Sequence, residues 1–160
     1  MRVEELMSHP ATTCHVNDPL SVAAQLMWDH DCGALPVVND EGKLTGMITD
    51  RDICMAAYTR GCSLDAILVN RAMATHVIAV RGEQMLAEVE ELMAKNQLRR
   101  LPVVDDVGTP IGVISLNDLA TESVQPDSEM KHGLAKIAHT LAAICAHGET
   151  KSGVIMDTRN

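Results

Sequence analysis

Two stretches of the chain, Leu35-Pro36-Val37-Val38 and Leu101-Pro102-Val103-Val104, are identical and lie 66 residues apart. The same offset matches further residues, namely Met7 with Met73, Leu20 with Leu86, Leu26-Met27 with Leu92-Met93, Gly42 with Gly108, Gly46 with Gly112, Ile48 with Ile114, and Asp52 with Asp118. A fixed offset without gaps indicates two copies of one supersecondary unit, each too small to be stable alone. We therefore predict that the copies fold together around a pseudo-twofold axis.

Each copy shows the same order of secondary-structure signals. A short helical turn and a small extended segment come first, and apolar residues at helical spacing follow. The Leu-Pro-Val-Val stretch predicts a strand, and the glycine-containing turn after it predicts that a second strand returns beside the first. A second helix then opens at Thr49 or Ser115. Each unit is therefore predicted as β-α-β-β-α, an α/β (α+β) fold with helices on one face of a small sheet.

The repeats divide the chain into four predicted segments. Residues 1–60 form the first repeat, 61–66 a linker and 67–121 the second repeat, and 122–160 lie outside the repeats. Within the last segment, apolar residues share one helical stripe over 127–147, which predicts an amphipathic helix before a frayed polar end. This helix packs on its own module or a dimer mate, or it docks to a separate effector protein.

Composition narrows the class of partner. The net charge of −9 disfavours a nucleic-acid backbone, and an aromatic content of only 1% removes the usual base-stacking platforms. No apolar run approaches the ~20 residues needed to span a bilayer, and the N-terminus carries acids where a secretory signal would be apolar. The five cysteines include no C-x-x-C pair, so we expect reduced thiols that act as small core residues. The chain is therefore expected to be cytoplasmic, with no nucleic-acid or membrane partner.

The turn from the second strand into the second helix carries the candidate chemistry. It reads Gly46-Met47-Ile48-Thr49-Asp50-Arg51-Asp52 in the first copy and Gly112-Val113-Ile114-Ser115-Leu116-Asn117-Asp118 in the second. A hydroxyl residue at a helix N-terminus, beside free N–H groups and the positive end of the helix dipole, can seat a phosphate. The acid three residues later suits the two hydroxyl donors of a ribose. Adjacent phosphate and ribose subsites predict a nucleotide site.

The same corner has a second interpretation. A hydroxyl residue followed three positions later by an acid is close to a helix capping box, in which the acid accepts from the N–H of the cap residue. Because the pattern occurs at the same place in both copies, the residues alone leave capping and ligand binding about equally favoured.

Basic residues near the corners differ between the copies. Arg51 adds a cation to the first corner, whereas Asn117 stands at the matching position of the second. The second copy has Arg99-Arg100 where the first has Gly33-Ala34. Such a pair can bind a phosphate with forked donors, or it can be a solvated strand end. In the first of these interpretations the pair compensates for Asn117 in the second copy.

Four apolar residues beside the corners also have two interpretations. They could sandwich an adenine, or they could belong to the hydrophobic core, which is their commonest role. These residues are Val37, Ile48, Val103 and Ile114.

No pattern indicates an enzyme or a metal centre. The sequence contains no G-x-S-x-G, H-E-x-x-H or Walker-type loop. His132, His139 and His147 are seven and eight residues apart, so they lack the i, i+3 or i, i+4 spacing with which two histidines hold one ion. We therefore predict neither a catalytic site nor a metal site.

The repeated strand and corner resemble a tandem pair of cystathionine β-synthase (CBS) domains, the Bateman module. The resemblance covers residues 1–121 and implies a non-catalytic regulatory module. It implies an adenosine-containing regulatory ligand, with AMP as the first candidate beside ADP, ATP, NAD and S-adenosylmethionine. It also implies that modules associate as disk-like homodimers. A purely structural dimerisation module with empty sites is the alternative.

The resemblance also implies roles for the corner residues, for two backbone segments and for the arginines. Thr49 and Asp52 would hold phosphate and ribose in one site, and Ser115 and Asp118 would do so in the other. Backbone groups of 11–12 and 77–78 would contact the base, and the arginines would bind phosphate. The complete expected set is Ala11, Thr12, Val37, Thr49, Arg51, Asp52, Val77, Ile78, Arg99, Arg100, Val103, Ser115, Asn117 and Asp118.

Overall fold

The computed structural model describes residues 1–123, Ala138 and residues 140–144. The first repeat contains β1 (Cys14–His15), α1 (Leu20–Asp29), β2 (Ala34–Val38), β3 (Leu44–Thr49) and α2 (Asp50–Arg60). The second contains β4 (Val80–Arg81), α3 (Leu86–Asn96), β5 (Arg100–Val104), β6 (Pro110–Ser115) and α4 (Leu116–Ser123). Short 3-10 helices occur at Val3–Glu5, Leu64–Ala66 and Val69–Arg71. The predicted β-α-β-β-α order is confirmed in both copies, and none of the described helices has the length and apolarity needed to cross a bilayer.

Each repeat forms a three-stranded mixed sheet. In the first, β2 lies between β1, to which it is parallel, and β3, to which it is antiparallel. The second sheet has the same order, β4-β5-β6. The hairpin turns are equivalent as well, because Asn39 Oδ1 and Asp105 Oδ1 each accept two backbone N–H groups of their own turn. These donors, the N–H of Thr109 above all, hold the pKa of the Asp105 carboxyl below its ordinary value.

Two aliphatic cores lie between the sheets and their helices. Leu35 and Val37 of β2 are fully buried in one core, and Leu101 and Val103 of β5 are fully buried in the other. Because side chains of a strand point alternately to opposite faces, these residues all point towards the helices. The described core residues are Leu, Val, Ile, Ala and Met together with Cys14, and none of them is aromatic.

The segment that leads into each repeat packs on the other repeat. Val3 is fully buried in the core of the second repeat, and its N–H donates to the carbonyl of Gln84 at 3.0 Å. Val69 is fully buried in the core of the first repeat, and its N–H donates to the carbonyl of Asp18 at 2.8 Å. Each core therefore includes residues of the other copy. This agrees with the prediction that the two copies fold together.

Two glycines make this exchange of segments possible. A Cβ placed on Gly112 would lie 2.7 Å from Met7 Sδ and 2.9 Å from the carbonyl oxygen of Ser8. A Cβ on the equivalent Gly46 would lie 2.6 Å from Met73 Sδ. Real Cβ atoms do not approach other atoms so closely, so any larger residue at these positions would force the methionine or the neighbouring backbone to shift. The repeated Met and Gly positions of the sequence are thus contact partners across the two copies.

The described cysteines are free, and they only partly follow the expectation of core thiols. Cys14 is buried, and its burial, followed by the nearby Asp18 carboxylate, raises its thiol pKa to about 12. Cys54 and Cys62 are exposed, so the expectation is wrong for them. Cys54 lies on α2 and Cys62 follows that helix, at surface positions where neither core reaches.

Most of the helix predicted over 127–147 lies outside the described residues. Within the described part, Ile144 is buried and belongs to the core of the second repeat. Thr140 is buried as well. The C-terminal segment therefore contacts the repeats at least through Ile144.

We expect Gly112→Ala to lower the free energy of unfolding by about 3 kcal/mol, because its methyl group overlaps Met7 and the backbone of Ser8. Gly42→Ala is the matched control. Gly42 has φ of +72° and open space around a Cβ, so its replacement costs only backbone strain, about 1 kcal/mol. Urea denaturation measures both values, and equal losses would contradict a close contact at Gly112.

Candidate functional site

Both strand-to-helix corners are capping boxes. At the first, the N–H and the hydroxyl of Thr49 donate to Asp52 Oδ2 at 2.9 and 2.7 Å, and the Asp52 N–H donates to Thr49 Oγ1 at 3.2 Å. At the second, the N–H and the hydroxyl of Ser115 both donate to Asp118 Oδ2 at 2.7 Å, and the Asp118 N–H donates back at 3.3 Å. Each acid therefore stabilises the start of its own helix, as the second interpretation of the corner predicted.

The cap uses one oxygen of each carboxylate. All of these hydrogen bonds end on Oδ2, and among the described residues no hydrogen bond reaches Oδ1 of Asp52 or Asp118. Each acid is half-buried and lines a cleft. A carboxylate has lone pairs for several donors, so the second oxygen can still accept a ligand hydroxyl. Capping and ligand binding are thus compatible in this geometry.

The backbone N–H groups at the start of α2 are not free, contrary to the expectation from the sequence. The Asp50 N–H donates to the carbonyl of Gly33 at 3.2 Å, because the pairing of β2 with β3 continues into the corner. The Arg51 N–H donates to Asp50 Oδ1 at 2.7 Å, and the Asp52 N–H is used in the cap. A phosphate at this corner would therefore depend on side chains more than on the helix N-terminus.

Each corner lies opposite a segment of the other repeat, and the two form a cleft. The first cleft, about 530 Å³, combines the first-repeat corner with second-repeat residues. The predicted residues in its lining are Thr49, Arg51, Asp52, Val77, Ile78, Arg99 and Arg100. Its volume is within the range of small-molecule sites, about 300–1,000 Å³.

The second cleft, about 360 Å³, is the equivalent space at the other corner. Its lining includes Ser115, Asn117 and Asp118 of the second repeat together with Ala11 and Thr12 of the first. Arg100 also lines this cleft, so it borders both. The structure thus gathers the predicted polar residues and the two backbone segments at two sites, each built from both repeats.

Val37 and Val103 do not line either cleft, which corrects the expectation that they form apolar walls. Both are fully buried in the cores, on the helix-facing side of their strands. Their neighbours on the opposite face of the sheets line the clefts instead, for example Met47 and Pro102 in the first and Val113 in the second. The alternation of side chains along a strand was the signal that could have identified them.

Arg99 also lies elsewhere than expected. It lines the first cleft together with Arg51, whereas the second cleft has Gly33 at the equivalent place. The Arg99-Arg100 pair therefore does not simply compensate for Asn117. A comparison of the two repeat sequences cannot reveal that Arg99 joins the first cleft. It does not show which corner lies opposite the residue that precedes β2 or β5.

The sequence predicts no metal site at His132, His139 and His147. All three lie outside the described part of the chain, so this stays a prediction. Among residues 1–123, 138 and 140–144, no group of three His, Cys, Asp or Glu side chains is arranged to hold an ion.

Comparisons with known proteins identify relatives over most of the chain. The CBS domain family model matches residues 3–58 and 69–125. The CBS domain-containing protein YhcV of Bacillus subtilis is 34% identical over 137 residues, which cover 86% of this chain and 95% of YhcV. The L-aspartate semialdehyde sulfurtransferase of Methanocaldococcus jannaschii is 30% identical over 118 residues, which cover 74% of this chain and 22% of that enzyme.

A solved structure has the same fold. The CBS domain pair of protein MJ0100, in complex with 5′-methylthioadenosine and S-adenosyl-L-methionine, superposes with a TM-score of 0.68 at 28% sequence identity. The superposition covers 76% of this chain and 94% of the MJ0100 chain.

We expect Asp118→Ala to lower the free energy of unfolding by about 1 kcal/mol, because the Ser115 N–H and hydroxyl lose their acceptor. Asp118→Asn keeps a side-chain oxygen that can accept one of them, and it should lose less. Asn117→Ala changes the neighbouring exposed residue, which takes no part in the cap, and serves as the control. Denaturation curves that do not separate Asn117→Ala from Asp118→Ala would contradict the capping role.

Proposed function

The chain belongs to the CBS domain family, as a tandem pair of CBS domains, and from this premise we propose that it is a regulatory module that binds adenosine-containing ligands. One ligand would occupy each cleft and would contact both repeats at once. Because a ligand shifts a conformational equilibrium only by its preference for one arrangement, such bridging is a direct way to change the orientation of the repeats.

The observation that carries this proposal is the composition of the clefts. Each one joins a hydroxyl–acid corner of one repeat to the segment 77–78 or 11–12 of the other. The free Oδ1 of Asp52 or Asp118 would accept from ribose hydroxyls, and the opposite backbone segment would contact the base. The MJ0100 domain pair, whose structure holds two adenosyl compounds, supports this class of ligand.

We propose regulation without catalysis. The similarity to the sulfurtransferase covers 22% of that enzyme, so the shared part is a fraction of its chain. The hydroxyls of Thr49 and Ser115 donate to the acids that cap their own helices, so both take part in helix capping. On this proposal a bound adenine compound would leave unchanged.

A purely structural module is the second candidate, and the capping boxes favour it. They pair the hydroxyl of each corner, and the N–H groups of its first and last residues, within the chain itself, so the start of each helix is stabilised without a ligand. In either case we propose a homodimer. Trp28 on α1 and Tyr58 on α2 are 84% and 82% exposed, and exposed apolar surface of this kind marks a site of contact with another chain. The exposed free thiols of Cys54 and Cys62 fit a reducing compartment such as the cytoplasm.

Isothermal titration calorimetry with AMP, ADP, ATP, NAD and S-adenosylmethionine tests the binding proposal. We expect at least one compound to bind, and we expect Asp52→Ala and Asp118→Ala each to weaken binding at its own cleft at least tenfold. Asp106→Ala, an exposed acid that lines neither cleft, is the control and should bind like the original chain.

Two outcomes would contradict this account. Binding that survives in the Asp52→Ala, Asp118→Ala double variant would place the site elsewhere, and no binding by any of the five compounds would favour the structural module. Circular dichroism of each variant establishes that a loss of binding is not a loss of fold.

The C-terminal segment offers a separate test of signalling, because Ile144 lines the first cleft and is packed in the second core. We expect AMP at saturating concentration to slow hydrogen exchange in a peptide covering 140–144, since the ligand would contact Ile144 directly. The hairpin turn at 39–42, which lines neither cleft, is the internal control. Unchanged exchange at 140–144 in AMP-bound protein would show that this segment does not sense the first cleft.

A further inference from the structure

Counted over the described residues, the two clefts are lined by the same number of acids. The first is lined by Asp50 and Asp52, and the second by Asp31 and Asp118. Each also has one histidine, His76 in the first and His30 in the second. The acids and histidines therefore give no reason for the clefts to prefer ligands of different charge.

The arginines differ. The first cleft is lined by Arg51, Arg99 and Arg100, whereas Arg100 is the only lysine or arginine among the described residues that line the second. Arg100 is common to both, so the difference consists of Arg51 and Arg99. Three guanidinium groups thus face two carboxylates in the first cleft, and one faces two in the second.

The exchange between the repeats places both extra arginines at one site. At the offset of 66 residues, Arg51 corresponds to Asn117 and Arg99 to Gly33. Arg51 lies at the corner of the first repeat, and Arg99 is the residue just before β5 in the second repeat. Both residues line the first cleft. Asn117 and Gly33 share the other cleft for the same reason.

These arginines are available to a ligand. The side chains of Arg51, Arg99 and Arg100 are exposed, and among the described residues none of them takes part in an ion pair. The backbone N–H groups at the start of α2 already have acceptors. The guanidinium groups are therefore the charged hydrogen-bond donors that the first cleft offers to an anion. Forked guanidinium donors match the oxygens of a phosphate.

We propose that the two clefts take ligands of different charge: phosphate-bearing adenine nucleotides in the first, and adenosine derivatives without a phosphate, neutral or cationic, in the second. This inference rests on the proposed function and adds a division of ligand class between its two sites. In the first cleft, Arg51 and Arg99 stabilise the phosphates. In the second, Asp31 and Asp118 outnumber Arg100 and repel a polyanion.

The test measures ligand preference at one cleft at a time. Asp118→Ala weakens the second cleft and leaves the first, and Asp52→Ala does the reverse. Adenosine, AMP and ATP are titrated into each variant by calorimetry at low salt. We expect AMP and ATP to bind Asp118→Ala at least tenfold more tightly than adenosine does, and we expect adenosine to bind Asp52→Ala at least as tightly as AMP does.

Charge variants then assign the preference to the arginines. In the Asp118→Ala background, Arg51→Gln with Arg99→Gln should reduce the AMP-over-adenosine ratio at least tenfold while leaving adenosine affinity within about threefold. In the Asp52→Ala background, Asn117→Arg should raise the affinity of the second cleft for AMP relative to adenosine. Lys95→Gln, which removes a positive charge from α3 outside both clefts, is the control for net charge.

The possible results separate this inference from the function on which it rests. If neither these three compounds nor ADP, NAD or S-adenosylmethionine bind the original chain, the adenosine-binding function fails. If they bind but both clefts show the same order of preference, the division by charge is overturned and the adenosine-binding function stands. The same holds if the order persists without Arg51 and Arg99. Where an alanine variant does not fold, the corresponding Asp→Asn variant replaces it.

Discussion

The packing of each leading segment on the opposite repeat is the constraint on which the rest of this structure depends. Val3 completes the second core and Val69 the first, so neither core is whole without the other copy. The segments lie close to the sheets because Gly112 and Gly46 carry no side chain where methionine sulfur atoms sit. The same exchange sets a corner of one repeat opposite a segment of the other, and that is why the clefts exist between the repeats.

In the proposed sites, one acid would serve both helix capping and ligand recognition. Asp52 and Asp118 use Oδ2 to cap their helices, which fixes the position of the carboxylate. On the proposed function, a ligand hydroxyl that approaches Oδ1 would meet an acceptor whose orientation is already set, so little further ordering would be needed on binding. The backbone N–H groups that a simple helix-terminus site would offer are already bonded at the first corner, so the proposed phosphate site depends on arginine side chains.

Because each cleft is built from both repeats, two single-residue differences between the copies add up in one cleft. Arg51 and Arg99 stand in different repeats, at places where the matching residues are Asn117 and Gly33. If each repeat formed its own site, each site would hold one of these arginines. Because the sites are shared, both arginines line the first cleft and neither lines the second. Two nearly equivalent repeats thereby produce two clefts with different charge.

The amino-acid sequence by itself determined the local structure: the repeat offset, the β-α-β-β-α order, the hairpin turns and the hydroxyl–acid corners. These follow from spacing and periodicity within a few residues, which is why they could be predicted. Tertiary structure decided which corner faces which segment, that Arg99 joins Arg51, and that Val37 and Val103 lie in the cores while Met47 and Pro102 line a cleft. Those outcomes depend on contacts between residues distant in the chain, and local periodicity carries no information about the partner that a buried or cleft-facing side chain will meet.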